Sequence, residues 1–276
     1  MTTNFISKNI PPINELKELF ISGEPFPHVV IDNFLDQQIF DKLLVDFQSF
    51  YKSNEKEGKL YKTDVEKNKW SSQGLTLSPF LKEVGDFLSS DEILNFLHNV
   101  TGFEKLSSIK GYNSDSLGFF SLMKKGSYLG PHIDHMYDMT GNSGYHVVNI
   151  ILYISKDWNP NWGGNTFLKN RRTNKYSSVE FKPNRALIFM HSPLSEHGTT
   201  KLSNYSNEDR IAIYFDYYSQ EQNPYKHLGL KFNMAKSPHL FFLPKKIDYL
   251  KLENKKYLFF HISHRLEQLK TFFKIK

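Results

Sequence analysis

The sequence predicts a mainly β fold with helices (α+β), in which a strand-rich block follows a helical N-terminal region. From about Leu117 to Tyr218, short β-rich runs are separated by Gly, Pro, Asn and Ser, as in sandwiches and barrels of antiparallel strands. The first hundred residues instead carry apolar side chains at helical spacing. We therefore expect an N-terminal, mostly helical region (1–100) packed on a β core (101–218), followed by a C-terminal extension (219–276).

The N-terminal region is predicted to open with a short strand and to continue with capped helices. Pro25 and Pro27 favour a turn, and Val29–Ile31 favour a short buried strand. Asp36 can cap one helix and Asp91 another, because an Asp side chain accepts hydrogen bonds from the free backbone N–H groups of a helix start. The predicted apolar faces are Ile39, Phe40, Leu43, Leu44 and Phe47 in the first helix, and Ile93, Phe96, Leu97 and Val100 in the second.

The strands of the β core are predicted from runs of β-branched and aromatic residues. They include Leu117–Met123, Val147–Ile154, Thr166–Leu168, Val179–Phe181, Ala186–Met190 and Ile211–Tyr218. The C-terminal extension returns to mixed and helical patterns, with Ser263 as the cap of a last helix.

Composition excludes several classes of protein. The chain has 276 residues, of which 39% are hydrophobic and 23% charged, so it can bury a sizeable core. It contains no Cys, which excludes disulfide scaffolds, thiolate metal sites, iron–sulfur clusters and cysteine nucleophiles. No apolar run approaches the ~18 residues of a membrane span, and the first residues lack the apolar block of a signal peptide. We expect a cytoplasmic protein that does not contact membranes.

The basic residues are concentrated in the C-terminal extension. The whole chain has a formal charge of +6, whereas the segment from Ser219 onwards holds 12 Lys and Arg against 4 Asp and Glu. Interleaved aromatic residues such as Phe241 and Phe260 are compatible with a polyanion or a membrane surface as partner. A lysine-rich layer packed on the body, or on a second subunit, explains the same pattern. We favour this structural role over nucleic-acid binding, because so many apolar side chains would otherwise lie in water.

Three polar residues of the β core form a candidate metal site. His132 and Asp134 stand two apart in Gly130-Pro-His-Ile-Asp-His135, and residues i and i+2 of a strand face the same way. His197, from a distant strand, can complete the set. Two His and one carboxylate on one face of an octahedron suit a non-haem ferrous ion. A chance spacing of solvated residues remains the alternative for the pair alone, and His135 points away by the same parity.

Arg210 adds a candidate anion site 13 residues after His197. It opens the apolar run Ile211–Phe215 and shares strand parity with Ala212, whose small side chain leaves room for a planar guanidinium to reach inward. Such a group can hold a carboxylate through two parallel hydrogen bonds. An ordinary strand-end cation in water is the alternative.

The order of these motifs resembles that of a known family, the 2-oxoglutarate and Fe(II) dependent dioxygenases, and within it the prolyl 4-hydroxylase-like branch. The similar segments extend from Pro25 to Tyr218. They read PFPHVVIDNFL, PHIDH, VVNIILYIS, WGGNTFL and SVEFKPNRALIFM, followed by the pair HG and a later Arg. The combination is more specific than any single motif.

The resemblance implies a double-stranded β-helix (jelly-roll) core with defined site residues. Fe(II) would be bound by His132, Asp134 and His197, and the far carboxylate of 2-oxoglutarate by Arg210. Tyr153 resembles the tyrosine with which prolyl hydroxylases hold the same carboxylate, and Asn149 stands where they often carry Thr. The cosubstrates implied are 2-oxoglutarate and O2, with ascorbate as an optional reductant.

The function implied is hydroxylation of a C–H bond in a peptide or small-molecule substrate, with desaturation or demethylation as other outcomes. Two other classes use the same residues: a zinc-dependent hydrolase, and a non-catalytic binding module on the same β architecture. The hydrolase has no evident need for Arg210, and the binding module would not require all four polar residues. The segment Asp138–Tyr145 is either a lid over the metal site or a loop without a role.

Overall fold

A computed structural model of the protein describes residues 4–63, 65–108, 119–138, 143–232 and the backbone of 240–241. The described residues include four α-helices, all of which precede the β core. They are α1 (Ile13–Ser22), α2 (Gln37–Asn54), α3 (Pro79–Leu88) and α4 (Asp91–Thr101). Among the described residues, no helix combines the length and the apolar character that a membrane span requires.

The helices begin where side chains can cap them. Asp36 accepts a hydrogen bond from the Gln38 backbone N–H, 3.0 Å away, which confirms the predicted start of α2. The predicted cap of α4 was one residue too late, because Ser90 is the residue with extended backbone and Asp91 already has helical geometry. The Asp91 carboxylate lies in the first turn, where its negative charge interacts favourably with the positive end of the helix dipole.

The strands pair into one antiparallel sheet that curls into a nearly closed jelly roll. The strands are β1 (His28–Ile31), β2 (Lys59–Lys62), β3 (Glu66–Ser71), β4 (Leu106–Ser107), β5 (Phe120–Ile133), β6 (Tyr145–Tyr153), β7 (Thr166–Asn170), β8 (Tyr176–Val179), β9 (Arg185–Met190), β10 (Ser195–Thr199), β11 (Arg210–Ser219) and β12 (Leu240–Phe241). Their main order is β1-β9-β6-β11-β5-β10-β7-β8. The predicted mainly β, jelly-roll fold is therefore confirmed.

The N-terminal region contributes strands as well as helices. β1 pairs with β9, placing His28 opposite Phe189, and the β2–β3 hairpin pairs with β5 through β3. The hairpin was not predicted, since Glu66-Lys-Asn-Lys carries charge where a strand pattern would carry apolar residues. One apolar core joins the helices to the sheet. Within it, Phe47 of α2 contacts Phe120 of β5, with the ring centroids 5.2 Å apart and the rings tilted by 30°.

The described start of the C-terminal extension packs on the sheet. Tyr225 is fully buried, and its hydroxyl donates to the His191 backbone carbonyl at 2.7 Å. Farther along, the backbone of β12 pairs with the end of β5, placing Phe241 opposite His132. The predicted apolar contacts of the rest of the extension, and half of the predicted lid (139–142), lie outside the described residues.

Candidate metal centre

His132, Asp134 and His197 meet where β5 and β10 pair. His132 lies directly opposite His197 in the register of the two strands, and Asp134 follows the last residue of β5. The Nε2 atom of His132 lies 3.3 Å from Asp134 Oδ1, and that of His197 lies 3.3 Å from Asp134 Oδ2. All three side chains are buried, and the two rings are tilted by 48°. The structure thus brings the three predicted ligands together around one point.

Backbone carbonyls fix the tautomer of both imidazoles. His132 Nδ1 lies 2.8 Å from the Gly130 carbonyl oxygen, and His197 Nδ1 lies 3.2 Å from that of Ser195. Because a carbonyl only accepts hydrogen bonds, each Nδ1 carries the proton and each Nε2 presents a lone pair to Asp134. This is the state in which histidine binds metals. Burial and the neighbouring His197 also lower the pKa of His132, which keeps this ligand neutral. The donor set fits a divalent ion such as Fe(II).

Gly198 lets β10 lie close to both neighbouring strands. A Cβ atom at this position would lie 2.6 Å from the Leu129 carbonyl oxygen and 2.6 Å from the Phe167 ring. Any larger residue would push β10 away from β5, and with it the adjacent His197 away from His132. The pair His197-Gly198 is therefore needed for the geometry of the metal centre.

Arg210 is fully buried and surrounded by neutral groups. Its Nε donates to the Gly164 carbonyl at 2.7 Å, and its terminal nitrogens lie 3.3 Å from Thr166 Oγ1 and 3.3 Å from the Tyr214 hydroxyl. Among the described residues, no carboxylate lies within ion-pair distance of the guanidinium. An unpaired buried charge is costly, so this pocket requires an anion.

Three polar residues around Arg210 were not predicted from the sequence. Thr166 Oγ1 also accepts from the Tyr153 hydroxyl at 2.7 Å, which places the predicted Tyr153 in the same pocket. Although burial opposes it, Arg210 and Lys69 lower the pKa of Tyr214. Lys69 is held cationic, since Glu66 and Tyr214 raise its pKa against the effect of burial. Two cations, Arg210 and Lys69, therefore lie at the pocket. Its residues come from four different strands, so their proximity could not be predicted from the sequence.

Asn149 lies at the metal centre and not in the Arg210 pocket. Its side-chain amide donates to Asp134 Oδ2 at 3.0 Å. Asn149 and Tyr153 face the same way on β6, about 13 Å apart at 3.3 Å per residue, which separates the two groups. The place beside Tyr153 is taken by Thr166. Thr166 of β7 pairs with Thr199 of β10, which lies two residues after His197. The Arg210 pocket and the metal centre therefore share one face of the barrel.

Two further histidines lie behind Asp134. His146 and His191 are fully buried, and their rings stack at 3.9 Å. Burial and the neighbouring His135 lower the pKa of His146 to about 3, and burial and His146 lower that of His191 well below its usual value. Both imidazoles are therefore neutral in the folded protein.

These two neutral histidines predict a loss of stability in acid. Below about pH 6.5 the unfolded chain binds protons that the folded chain rejects, so stability falls as the pH falls from about 6.5 towards 3. Each histidine contributes up to about 1.4 kcal/mol per pH unit. Urea unfolding of metal-free protein between pH 7.5 and 5 measures the slope. We expect His146→Gln to flatten the slope and Asn99→Gln, at an exposed position of α4, to leave it unchanged. Equal slopes in all three proteins would contradict the prediction.

The strand-rich core matches a known protein family. Residues 118–218 match the model of the 2OG-Fe(II) oxygenase superfamily. This match confirms the predicted resemblance and supports an oxidoreductase. The family implies Fe(II) as the metal, and 2-oxoglutarate and O2 as the cosubstrates. A search among curated proteins found no match.

Solved structures of similar fold include hydroxylases and an epimerase. A prolyl-4-hydroxylase from Pseudomonas putida is 12% identical with a TM-score of 0.51, covering 75% of this chain and 100% of its own. A prolyl hydroxylase from Trichoplax adhaerens, solved with a hypoxia-inducible-factor peptide, is 15% identical with a TM-score of 0.53, covering 80% and 94%. A non-haem α-ketoglutarate-dependent epimerase of nogalamycin biosynthesis is 13% identical with a TM-score of 0.51, covering 86% and 96%. At these identities the likeness supports the fold.

Proposed function

We propose that the protein is a Fe(II)- and 2-oxoglutarate-dependent dioxygenase that hydroxylates a C–H bond of its substrate while 2-oxoglutarate is converted to succinate and CO2. The observation that carries the proposal is the fully buried Arg210, which among the described residues contacts only neutral groups. A metal centre alone would fit several classes of enzyme. A buried cation pocket on the same face as a two-His, one-carboxylate set fits a dicarboxylate cosubstrate that reaches both.

Each residue of the proposed site has a separate task. His132, Asp134 and His197 would hold Fe(II), and the bound iron with O2 and 2-oxoglutarate would supply the oxidising power. Arg210 would bind the far carboxylate of 2-oxoglutarate through its two terminal nitrogens. Thr166 and Tyr153 would orient the same carboxylate, since Thr166 Oγ1 lies 3.3 Å from the guanidinium and accepts from the Tyr153 hydroxyl at 2.7 Å. Asn149 would orient Asp134 through its 3.0 Å hydrogen bond.

The two other classes account less well for the Arg210 pocket. A zinc-dependent hydrolase needs a metal-bound water and a base, and a buried guanidinium 13 residues beyond the last ligand has no part in that reaction. A non-catalytic module would bear the cost of burying Arg210 without a use for a metal beside it. The proposed dioxygenase uses both groups.

A peptide is one of two substrate classes that we propose, the other being a small molecule. The Trichoplax adhaerens structure of similar fold contains a peptide fragment, which supports a peptidyl proline. The epimerase of nogalamycin biosynthesis, of similar fold, supports a small molecule. Ascorbate would act as an accessory reductant in either case.

Anaerobic reconstitution tests the proposal. Metal-free protein is loaded with Fe(II) under argon, mixed with 2-oxoglutarate, and exposed to O2, and succinate is then measured. We expect slow succinate release that requires all three additions, and a gain of one oxygen in a substrate of a treated cell extract by mass spectrometry. Hydrolytic activity with Zn(II) alone, without any succinate, would favour the hydrolase.

A further inference from the structure

A second cluster of two histidines and one carboxylate lies beside the metal centre. It consists of His135, His146 and Asp216, whose ligand atoms all lie within 4.8 Å of one another. His146 Nε2 is 3.6 Å from Asp216 Oδ1, and His135 Nε2 is 3.9 Å from Asp216 Oδ2. The cluster combines the loop after β5 with strands β6 and β11, so none of its members is one of the three predicted iron ligands.

The tautomer of His146 leaves a lone pair aimed at this carboxylate. His146 Nδ1 lies 3.1 Å from the His135 carbonyl oxygen and must therefore carry the proton. Its Nε2 is fully buried and has no hydrogen-bond partner. A lone pair thus faces a carboxylate oxygen at 3.6 Å, so that two hydrogen-bond acceptors lie next to each other. The three predicted iron ligands show the same arrangement at 3.3 Å.

Asn149 connects the two clusters. The nitrogen of its side-chain amide lies 3.0 Å from Asp134 Oδ2 and 3.2 Å from Asp216 Oδ1. Its two hydrogens are therefore shared between one carboxylate of each cluster, which orients both. Oriented carboxylates and histidines with a fixed tautomer are typical of the surroundings of metal ligands.

We propose that His135, His146 and Asp216 form a second site for a first-row divalent metal ion, such as Zn2+ or Fe2+. Two imidazoles and a carboxylate are donors that these ions accept. The Tyr218 hydroxyl hydrogen-bonds to His135 Nε2 at 2.7 Å, a contact that an ion bound through this nitrogen would replace. The side chains of Asp216 and His135 are 26% and 18% exposed, so both groups are partly open to solvent. This inference does not depend on the proposed oxygenase activity.

Metal stoichiometry tests the second site. Full-length protein without an affinity tag is dialysed anaerobically against Co2+, and bound cobalt is measured by elemental analysis and visible absorption. We expect two ions per wild-type chain, and one ion in each of Asp216→Asn, His135→Gln and His132→Ala. Asp41→Asn, at an exposed position of α2, is the control and should retain two. Circular dichroism shows whether each variant is folded, and the two variants of the second site are independent of each other.

The outcomes separate the second site from the proposed function. One ion per wild-type chain, unchanged in Asp216→Asn and His135→Gln but lost in His132→Ala, would overturn the second site and leave the iron site standing. One ion that is lost in Asp216→Asn and retained in His132→Ala would support the second site and contradict the proposed iron site.

Discussion

An Asp134→Ala variant is expected to lose succinate formation almost completely while keeping its fold. The variant removes the only carboxylate from the proposed iron ligands, so the two remaining imidazoles would bind Fe(II) weakly. Even residues that only orient metal ligands cost about 10- to 100-fold when replaced, so we expect a loss of at least ~100-fold for a ligand. Succinate release under saturating 2-oxoglutarate and the iron content after gel filtration measure the two effects.

The matched control for this variant is Asp157→Ala, which removes an exposed carboxylate outside the site. It should retain iron and activity. Full activity of Asp134→Ala would show that the metal, if any, is bound elsewhere, and would remove His132 and His197 from the proposed site along with it.

An Arg210→Lys variant is expected to bind 2-oxoglutarate more weakly, because it keeps the positive charge but loses the planar pair of donors. Charge-assisted hydrogen bonds contribute about 1.5 to 3 kcal/mol, so the KM for 2-oxoglutarate should rise by ~10- to 150-fold. Iron binding should remain unchanged, since Arg210 contacts none of the three proposed ligands. Initial rates at varied 2-oxoglutarate, with iron saturating, give the KM.

Arg185→Lys provides the control for this second variant. Arg185 is also a buried arginine at the start of a strand, but its guanidinium is paired with Asp32. Its replacement should lower stability and leave the KM for 2-oxoglutarate unchanged. An unaltered KM in Arg210→Lys would assign the carboxylate to another cation, of which Lys69 is the nearest candidate through its contact with Tyr214.

Local patterns were sufficient to predict much of the fold. The period of the apolar residues and the cap at Asp36 predicted α2, and β-branched runs predicted β6, β9 and β11 to within two residues at each end. The β2–β3 hairpin was missed because its charged residues are stabilised by pairing with β5, not by burial of an apolar face. Its Lys69 is nevertheless one of the two cations at the Arg210 pocket.

The candidate site could be predicted only as far as sequence spacing reaches. Strand parity predicted that His132 and Asp134 lie together, and the small Ala212 predicted room for Arg210. The structure places these side chains inside the barrel. No spacing relates His146 to Asp216, because their contact arises from the register of β6 against β11. The displacement of Asn149 from the Arg210 pocket has the same origin: parity defines a face but not the position along it.

The sheet order also determines when the site can form during synthesis. β1 pairs with β9, so His28 can pair only after Phe189 has been synthesised. In the same way, His132 can pair only after His197 has been synthesised. Arg210 comes later still, when β11 inserts between β5 and β6. Contacts between residues so far apart in the chain are associated with slow folding. During synthesis, the three proposed iron ligands can therefore meet only after β10 has left the ribosome.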